Sequence, residues 1–356
     1  MDFSFYLKEQ LRLHPSAQPR DAVKQCFQAA FGAEHLLLDI ASARAYFDNE
    51  FSSVPERDGP LSEPISPDFC RVNLSAWKRD MLPRHWLFEM FRLTASRGAA
   101  TNGNAVFTHC LNAAKSYAES GKAPFTLEAW NEFWEDYDAR APKPVHHSAP
   151  YRADEYPAYR VVSMRYARLI PLLKRIAGLP AHPGVVIAID GRSASGKTTL
   201  AKHLTEITGA GLIHMDDFFL PEPLRTDARL SQPGGNVHYE RFLSEVLPML
   251  SSGEAFSYQA FDCEKMRMGA LKHVAKSPLR IVEGAYSCHP ELGNYMGLKV
   301  FCHVEPEEQL QRIRERNGNE MAAIFKSRWI PMEELYFDAF PLADKADVTL
   351  NAATAH

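Results

Sequence analysis

Apolar residues in the first part of the chain recur at intervals of three and four positions, the spacing of one face of an α-helix. In Ala22–Phe47 the apolar positions are Val23, Cys26, Phe27, Ala30, Phe31, Leu36, Leu37 and Ile40. The segments Trp77–Ala95 and Phe125–Tyr137 show the same spacing, and Thr126 is a candidate N-cap. We therefore predict that residues 1–150 form an all-helical domain.

Proline-rich segments interrupt this helical pattern. Four prolines in residues 52–67 predict a loop. A second cluster lies in Ala141–Pro150, and because proline restricts its own φ and the preceding residue, this segment can be neither regular helix nor central strand. We place a domain boundary there. Helical spacing resumes over Ala158–Ala177, so we predict that residues 151–181 form a connecting helix.

The pattern changes again in residues 182–356, where short apolar runs alternate with helical spacing. The runs are Val185–Asp190, Gly211–Met215, Leu279–Glu283, Leu298–Val304 and Asp347–Leu350. Short apolar strands that alternate with helices are typical of a parallel sheet covered on both faces. We therefore predict a doubly wound α/β domain.

Composition narrows the class of protein. The chain has 356 residues, enough for two domains, and a formal net charge of −4, which gives no overall basic field to attract nucleic acid. Its six cysteines include no CxxC pair, which indicates reduced thiols and neither a disulfide framework nor a zinc site. The sequence has no signal-peptide pattern and no apolar run near the roughly 20 residues of a membrane helix. We expect a cytoplasmic protein that binds no membrane.

The segment Gly191–Thr198 reads GRSASGKT and matches the Walker A pattern GxxxxGK[ST] at every fixed position. A predicted strand precedes it and a predicted helix follows. Glycines let the backbone turn tightly, so that N–H groups point at phosphate oxygens, and the helix N-terminus adds partial positive charge. We therefore predict a P-loop NTPase-type fold that binds ATP with Mg²⁺. The predicted nucleotide-binding residues are Gly191, Ser193, Ala194, Ser195, Gly196, Lys197, Thr198 and Thr199.

Four side chains have the chemistry that phosphoryl transfer requires. Lys197 should contact the β- and γ-phosphates, and the Thr198 hydroxyl should coordinate Mg²⁺. Asp216 and Glu283 each follow a predicted strand, at the edge where a doubly wound sheet binds its ligands. Asp216 would accept a substrate proton or hold a metal-bound water. We predict Lys197, Asp216 and Glu283 as catalytic residues, and Thr198, Asp216 and Glu283 as the metal site.

These motifs resemble those of the uridine kinase and phosphoribulokinase family of P-loop kinases, over about Pro183–Leu350 and not over the first 150 residues. Members of that family combine a GxxxSGK[ST] loop with a D-[SD]-[FY]-[FY] segment and an E-G pair. In this chain the second motif corresponds to Asp216–Phe219 and the third to Glu283–Gly284. The resemblance implies that Asp216 is the catalytic base. It also implies a phosphotransferase that moves the γ-phosphate of ATP to an alcohol group of a small molecule.

The resemblance extends to an acceptor site. Asn236–Phe242 is similar to the family's N-x-D segment, but His238 replaces the Asp that is expected to hold ribose hydroxyls, which puts uridine itself in doubt. Tyr258–Asp262 is similar to a Y-x-x-[YF]-D run near the acceptor pocket. The acceptors left open are a nucleoside, a pantothenate-like alcohol, a sugar and a sugar phosphate. The candidate acceptor-site residues are Asp217, Phe219, His238, Tyr258, Phe261, Tyr286 and His289.

The last part of the domain resembles the family's lid and closing strand. Gln311–Gly318 is similar to the R-D-x-x-x-R-G lid, and Lys345–Leu350 is similar to the K-x-A-D-V strand. An arginine from a lid would neutralise charge in the transition state. The spacing of the arginines in this segment is shorter than in the family, so it does not indicate which of them would contact phosphate. The alternative is that they form Arg–Glu pairs on a solvated helix face. The lid candidates are Arg312, Arg314 and Arg316.

Two other functions stay open. In a nucleotide-gated regulator, hydrolysis would move the helical domain, although the sequence has no NKxD guanine-reading motif. In a nucleic-acid-directed kinase, the first 150 residues would hold RNA, although the chain has no evident basic stripe. No motif in residues 1–150 indicates a role for them, and none indicates the oligomeric state.

Overall fold

The computed structural model describes residues 2–33, 39–96, 102–137, 142–180 and 182–351. Parts of three predictions lie outside the described residues. They are Leu36 and Leu37 of the first predicted helix, Ala141 of the proline-rich segment, and the end of the second predicted domain beyond residue 351. The chain divides into two compact units, Met1–Ala177 and Gly178–His356. No helix among the described residues is long and apolar enough to cross a bilayer.

The first unit is mostly helical. Its helices are α1 (Phe3–Leu13), α2 (Pro19–Phe31), α3 (Ile40–Ser53), α4 (Leu74–Arg79), α5 (Arg84–Ala95), α6 (Gly103–Glu119), α7 (Leu127–Asp136), α8 (Ala149–Glu155), α9 (Met164–Ala167) and α10 (Ile170–Ala177). The predicted N-cap is confirmed, because the Thr126 hydroxyl accepts a hydrogen bond from the Ala129 N–H at 3.1 Å. Each of the other two predicted segments contains two helices. Gly32 ends α2 with a φ of 60°, and Pro83 separates α4 from α5.

The prediction of an all-helical first domain is wrong, because this unit also contains an antiparallel sheet. The strands are β1 (Ser62–Pro64), β2 (Phe69–Asn73) and β3 (Tyr159–Ser163), in the order β1-β2-β3. β1 lies inside the predicted loop over residues 52–67. Strands of three to five residues are too short for a period of two to be recognised, and β2 pairs with a segment about 90 residues later in the chain.

The same pairing accounts for the difference between the predicted and observed boundaries. The predicted connecting helix over residues 151–181 is α8, β3, α9 and α10 instead. Because β3 pairs with β2 from Tyr159↔Asn73 to Ser163↔Phe69, this segment belongs to the first unit. The two units therefore divide between Ala177 and Gly178 and not at residues 141–150.

A polar network is buried inside the first unit. Arg71 donates to the side-chain carbonyl oxygens of Gln10 and Gln28, at 2.9–3.0 Å. Burial lowers the pKa of His147 to about 4, so its ring is neutral where it contacts Asp21 at 2.7 Å and the Tyr159 hydroxyl at 2.6 Å. These polar side chains pair with one another, which is how buried polar groups avoid the cost of desolvation.

The second unit is built on a five-stranded parallel sheet, as the sequence predicts. Its strands are β4 (Val185–Gly191), β5 (Gly211–His214), β8 (Leu279–Glu283), β9 (Leu298–His303) and β10 (Val348–Asn351), in the order β10-β9-β4-β8-β5. The central strand β4 pairs in parallel with β8 on one side and β9 on the other. Such a strand is buried on both faces, which explains its continuous apolar sequence. The strand order reverses at β4, where doubly wound folds bind ligands.

The second unit also contains seven α-helices and an antiparallel hairpin among its described residues. The helices are α11 (Lys197–Thr208), α12 (Asp227–Leu230), α13 (Tyr239–Glu245), α14 (Leu247–Leu250), α15 (Pro306–Ile324), α16 (Ile330–Ala339) and α17 (Leu342–Lys345). β6 (Phe256–Asp262) and β7 (Arg267–Val274) form a separate antiparallel hairpin, which the sequence reading did not identify. Helix α15 contains one non-helical residue, Gly318, with a φ of 82°.

Candidate active site

The turn between β4 and α11 has the backbone conformation of a phosphate-binding loop. Gly191, Ala194 and Gly196 have φ values of 137°, 59° and 94°, and α11 begins directly afterwards at Lys197. In a loop of this kind, residues with positive φ turn successive N–H groups toward one side, where a helix N-terminus adds partial positive charge. A non-glycine residue in the left-handed region, here Ala194, is strained, and such strain is concentrated at functional loops.

Gly191 is required at the start of this loop. A Cβ atom there would lie 2.1 Å from the backbone carbonyl oxygen of Cys302 on β9, and its φ of 137° is rarely adopted by other residues. We expect Gly191→Ala to lower the free energy of unfolding by at least about 2 kcal/mol, measured by urea denaturation. Gly293→Ala is the matched control, because Gly293 also has a positive φ of 71° but no atom within 4 Å of the added Cβ. Equal losses in the two variants would contradict the role of the close approach.

Lys197 lies at the first position of α11 and is almost fully buried, with 8% of its surface exposed. Its ammonium group donates to the carbonyl oxygens of Gly191 and Arg192, both at 2.8 Å. The side chain therefore folds back over the loop, with its charge inside the concavity that the loop encloses. An ammonium group there can neutralise the phosphates that the loop N–H groups would bind.

The structure brings the predicted metal ligands together. The Thr198 hydroxyl lies 3.2–3.3 Å from the two carboxylate oxygens of Glu283, and Asp216 lines the same cleft. Asp216 and Glu283 come to the same cleft because β5 and β8 are neighbouring strands, and His214 at the end of β5 is paired with Glu283 at the end of β8. The ring of His214 also contacts Glu283, with its Nδ1 2.5 Å from the Oε1 atom. The sequence reading missed this histidine, which orients Glu283.

This group of oxygen atoms fits Mg²⁺. Burial raises the pKa of Asp216, and the nearby charge of Glu283 raises it further, whereas Lys197 opposes the shift. Two carboxylates that repel each other in a buried site are stabilised by a divalent cation. Mg²⁺ is held in phosphate-transfer sites by one or two carboxylates together with substrate phosphates.

Helix α16 contributes contacts to the loop that the sequence reading missed. Glu333 accepts hydrogen bonds from the N–H of Ser193, at 3.0 Å, and from its hydroxyl. Glu334 pairs with Arg192 through two contacts of 2.7 Å. Burial raises the pKa of Glu333, and the positive charge of Lys197 opposes this shift. Glu333 and Glu334 lie about 140 residues after the loop and belong to no recognisable motif, so their contacts with the loop could not be predicted from the sequence.

The buried Asp190 holds the loop against the segment that follows β8. Its carboxylate accepts hydrogen bonds from the N–H groups of Gly191, Tyr286 and Cys288, at 2.7–3.1 Å, and from the Tyr336 hydroxyl at 3.0 Å. Burial raises its pKa, although these bonds favour the ionised form. Because all of these partners are structural, we assign Asp190 to the scaffold of the loop.

The loop opens into a cleft of about 1000 Å³. It is lined by Ser193, Ala194, Ser195, Gly196, Lys197, Thr198, Thr199, Asp216, Phe219, Arg225, Asn236, Cys263, Glu264, Glu283, Gly284, Ala285, Tyr286, Arg312, Glu315, Arg316, Met321, Phe325, Trp329 and Glu333. Two of the three lid candidates, Arg312 and Arg316, therefore lie at the cleft. The third, Arg314, is exposed and does not line it. Arg312 also pairs with Glu308 at 2.7 Å, which is the Arg–Glu alternative that the sequence left open.

Only Phe219 and Tyr286 of the seven acceptor-site candidates line the cleft. Asp217 is buried and accepts hydrogen bonds from the Tyr258 hydroxyl at 2.7 Å and from Lys272 at 2.8 Å. Tyr258 itself packs in the hydrophobic core of the second unit. These two residues therefore stabilise β6 and β7 against the loop after β5, and neither of them lines the cleft.

The remaining three candidates also lie away from the cleft. Phe261 is buried at the end of β6, and His238 precedes α13 as its N-cap residue. His289 is buried, stacks on the rings of Tyr239 and Tyr336, and bonds to the carbonyl oxygen of Pro233 at 3.0 Å. Proximity in sequence to an active-site segment did not determine which way these side chains point. Arg225 and Asn236, which the sequence reading did not select, line the cleft instead.

Comparisons with known proteins give distant structural similarity. No protein-family model and no curated protein matches this chain. The chain is similar to a possible uridine kinase from Bacillus stearothermophilus, with 21% identity and a TM-score of 0.40, over 52% of this chain and 98% of that one. It is also similar to a D-glycerate 3-kinase from Cryptococcus neoformans var. grubii, with 16% identity and a TM-score of 0.33, over 49% and 86% of the two chains. Similarity at this level assigns neither a family nor a substrate, so the functional argument rests on the site itself.

Proposed function

We propose that the second unit is a kinase that uses ATP and Mg²⁺ to phosphorylate a hydroxyl group of a small molecule. The observation that carries this proposal is the convergence of Lys197, Thr198, Asp216 and Glu283 on one cleft, at the end of a phosphate-binding loop. A cation, a metal-binding hydroxyl and two carboxylates at such a loop are the groups that phosphoryl transfer requires.

The chain's own residues have distinct roles in this proposal. The N–H groups of the loop and the start of α11 bind the phosphates of ATP, and Lys197 neutralises the charge of the β- and γ-phosphates. Thr198, Asp216 and Glu283 are the residues that would hold Mg²⁺, which supplies further neutralisation of phosphate charge when bound. Arg312 and Arg316 lie at the cleft, where a guanidinium group can stabilise charge on the transferred phosphoryl group.

Asp216 is the candidate for the proton acceptor. The acceptor's hydroxyl oxygen forms a bond to the γ-phosphorus as the bond from that phosphorus to the β–γ bridging oxygen breaks. The hydroxyl proton passes to the Asp216 carboxylate, and ADP leaves. Burial and the charge of Glu283 raise the pKa of Asp216, which makes its carboxylate a stronger base than an exposed one.

The dimensions of the cleft support a second substrate beside the nucleotide. Its volume of about 1000 Å³ is at the upper end of the range for ligand pockets. It extends from the loop to Asn236 and to the turn between β6 and β7, which carries Cys263 and Glu264. This extension leaves room for an acceptor beside the nucleotide.

The proposal is tested by ADP release from the full chain with MgATP and a panel of small hydroxyl compounds, each paired with its deoxy analogue. We expect at least one hydroxyl compound to stimulate ADP formation and to be recovered with an added phosphate, while its deoxy analogue does neither. ADP formation that no small molecule stimulates would contradict the proposal. Stimulation by RNA instead would favour the nucleic-acid-directed alternative.

A further inference from the structure

The cleft that Asp216 lines also contains a cation with no ionic partner among the described residues. Arg225 follows a short helical turn, Glu222–Leu224, and its Nε–H donates to the carbonyl oxygen of Leu220 at 2.7 Å. This bond fixes the guanidinium group and leaves its two terminal NH₂ groups with no ion pair in the described chain. Arg229, four residues later, differs because it pairs with Glu240 at 2.8 Å.

The surroundings of Arg225 do not compensate its charge. Burial lowers its pKa, and the positive charge of Arg328 also lowers it. Negative charge on Cys263 and, less strongly, on Glu222 acts in the opposite direction. Burial raises the pKa of Cys263, so its thiol stays uncharged near neutral pH, and the exposed Glu264 lines the same cleft, where water and salt screen its charge. A half-buried arginine beside another cation is stabilised by an anion that binds both of its free NH₂ groups, since guanidinium matches the geometry of carboxylate and phosphate.

A second side chain in the same cleft, Asn236, has one unpaired atom, although its amide N–H group donates to the Tyr286 hydroxyl. Asn236 is buried, with 6% of its surface exposed, and its side-chain carbonyl oxygen has no hydrogen-bond partner among the described residues. Leaving a buried carbonyl oxygen unpaired costs roughly 1–3 kcal/mol. Because Asn236 lines the cleft, a ligand can supply the missing donor, and a hydroxyl group is the donor that a phosphate acceptor carries.

We propose that the phosphate acceptor is a small anionic polyol, whose carboxylate or phosphate group binds Arg225 and one of whose hydroxyls donates to Asn236. This inference rests on the proposed kinase function and specifies the class of its substrate. A second hydroxyl of the same molecule attacks the γ-phosphorus near Asp216, its proton passes to Asp216, and ADP leaves. The anionic group is unchanged by the reaction and serves to position the acceptor.

The test compares matched neutral and anionic acceptors: glycerol with D-glycerate, ribose with ribose 5-phosphate, and uridine with uridine monophosphate. We expect the full chain to phosphorylate the anionic member of at least one pair with a kcat/KM roughly 10–100-fold above that of its neutral partner, the ratio that a hydrogen-bonded charge contributes. In Arg225→Gln, we expect this preference to disappear through a higher KM for the anionic acceptor. The KM for ATP should change less than about twofold, because the loop binds ATP independently of Arg225.

Two further variants separate recognition of the anion from a structural role of Arg225. Arg225→Lys should keep part of the preference for anionic acceptors, since lysine retains the positive charge but cannot form the bidentate contact of a guanidinium group. Arg267→Gln, an exposed arginine of β7 that does not line the cleft, is the matched control and should keep the full preference.

Each outcome decides between the two proposals. Equal use of neutral and anionic acceptors, or a preference that survives in Arg225→Gln, overturns the anionic acceptor and leaves the kinase proposal standing. The anionic acceptor is also overturned if Arg225→Gln lowers kcat to the same extent for the neutral and the anionic member of a pair. If no member of any pair is phosphorylated while ATP still binds, the kinase proposal fails and the anionic acceptor fails with it.

Discussion

Replacing Lys197 with alanine is expected to abolish ATP-dependent phosphate transfer, with a loss of at least about 10³-fold in kcat/KM. The ammonium group of Lys197 lies inside the loop, 2.8 Å from the carbonyl oxygens of Gly191 and Arg192, and 8% of the residue is exposed. Without it, the β- and γ-phosphates lose the cation that is buried closest to the loop, and the remaining cations at the cleft do not replace it there. A coupled assay of ADP formation measures the effect.

Lys202→Ala is the matched control for this change. Lys202 belongs to the same helix, α11, but is exposed and does not line the cleft. We expect this variant to keep its activity within about twofold, as surface substitutions do. Full activity of Lys197→Ala would falsify the assignment of the loop as the phosphate site.

The second large effect is expected for Asp216→Asn, which should lower turnover by roughly 10²–10⁴-fold. The substitution keeps the size of the side chain but removes the carboxylate that accepts the proton. ATP binding should be nearly unchanged, because the loop N–H groups and Lys197 stay in place. Turnover from the ADP assay and ATP affinity from titration with a fluorescent nucleotide measure the two quantities separately.

Asp217→Asn provides the comparison, because the two acids are adjacent in sequence but differ in surroundings. Asp217 is paired with Tyr258 and Lys272, so its loss should lower stability more than turnover. The base assignment is wrong if Asp216→Asn weakens ATP binding and leaves turnover per bound ATP unchanged. It is also wrong if the two variants lose turnover to the same extent.

The second unit was largely predictable because its signals are local. The five strands of the parallel sheet occur where short apolar runs predicted them, since strands buried on both faces must be apolar throughout. The phosphate loop is a contiguous segment whose glycines permit the positive φ values at Gly191 and Gly196. Asp216 and Glu283 could be selected because parallel strands place their carboxyl ends at one edge of the sheet.

The first unit was less predictable because its sheet depends on distant pairing. β2 and β3 are short, and neither has an alternating pattern long enough to predict a strand. They form because Phe69–Asn73 finds Tyr159–Ser163 after many intervening helical residues. Helical spacing located α5 and α7 between them, but it carries no information about which segments meet.

By itself, the sequence determined which residues form the loop end of the cleft, because a glycine loop, a lysine and two strand-end acids are encoded in short segments with strict conformational requirements. Only the tertiary structure decided which other side chains line the cleft. It turned Asp217 toward Tyr258 and Lys272, buried His289 among aromatic rings, and left Arg225 and Asn236 at the cleft. The direction of these side chains follows from packing between elements distant in the chain, which no local pattern records.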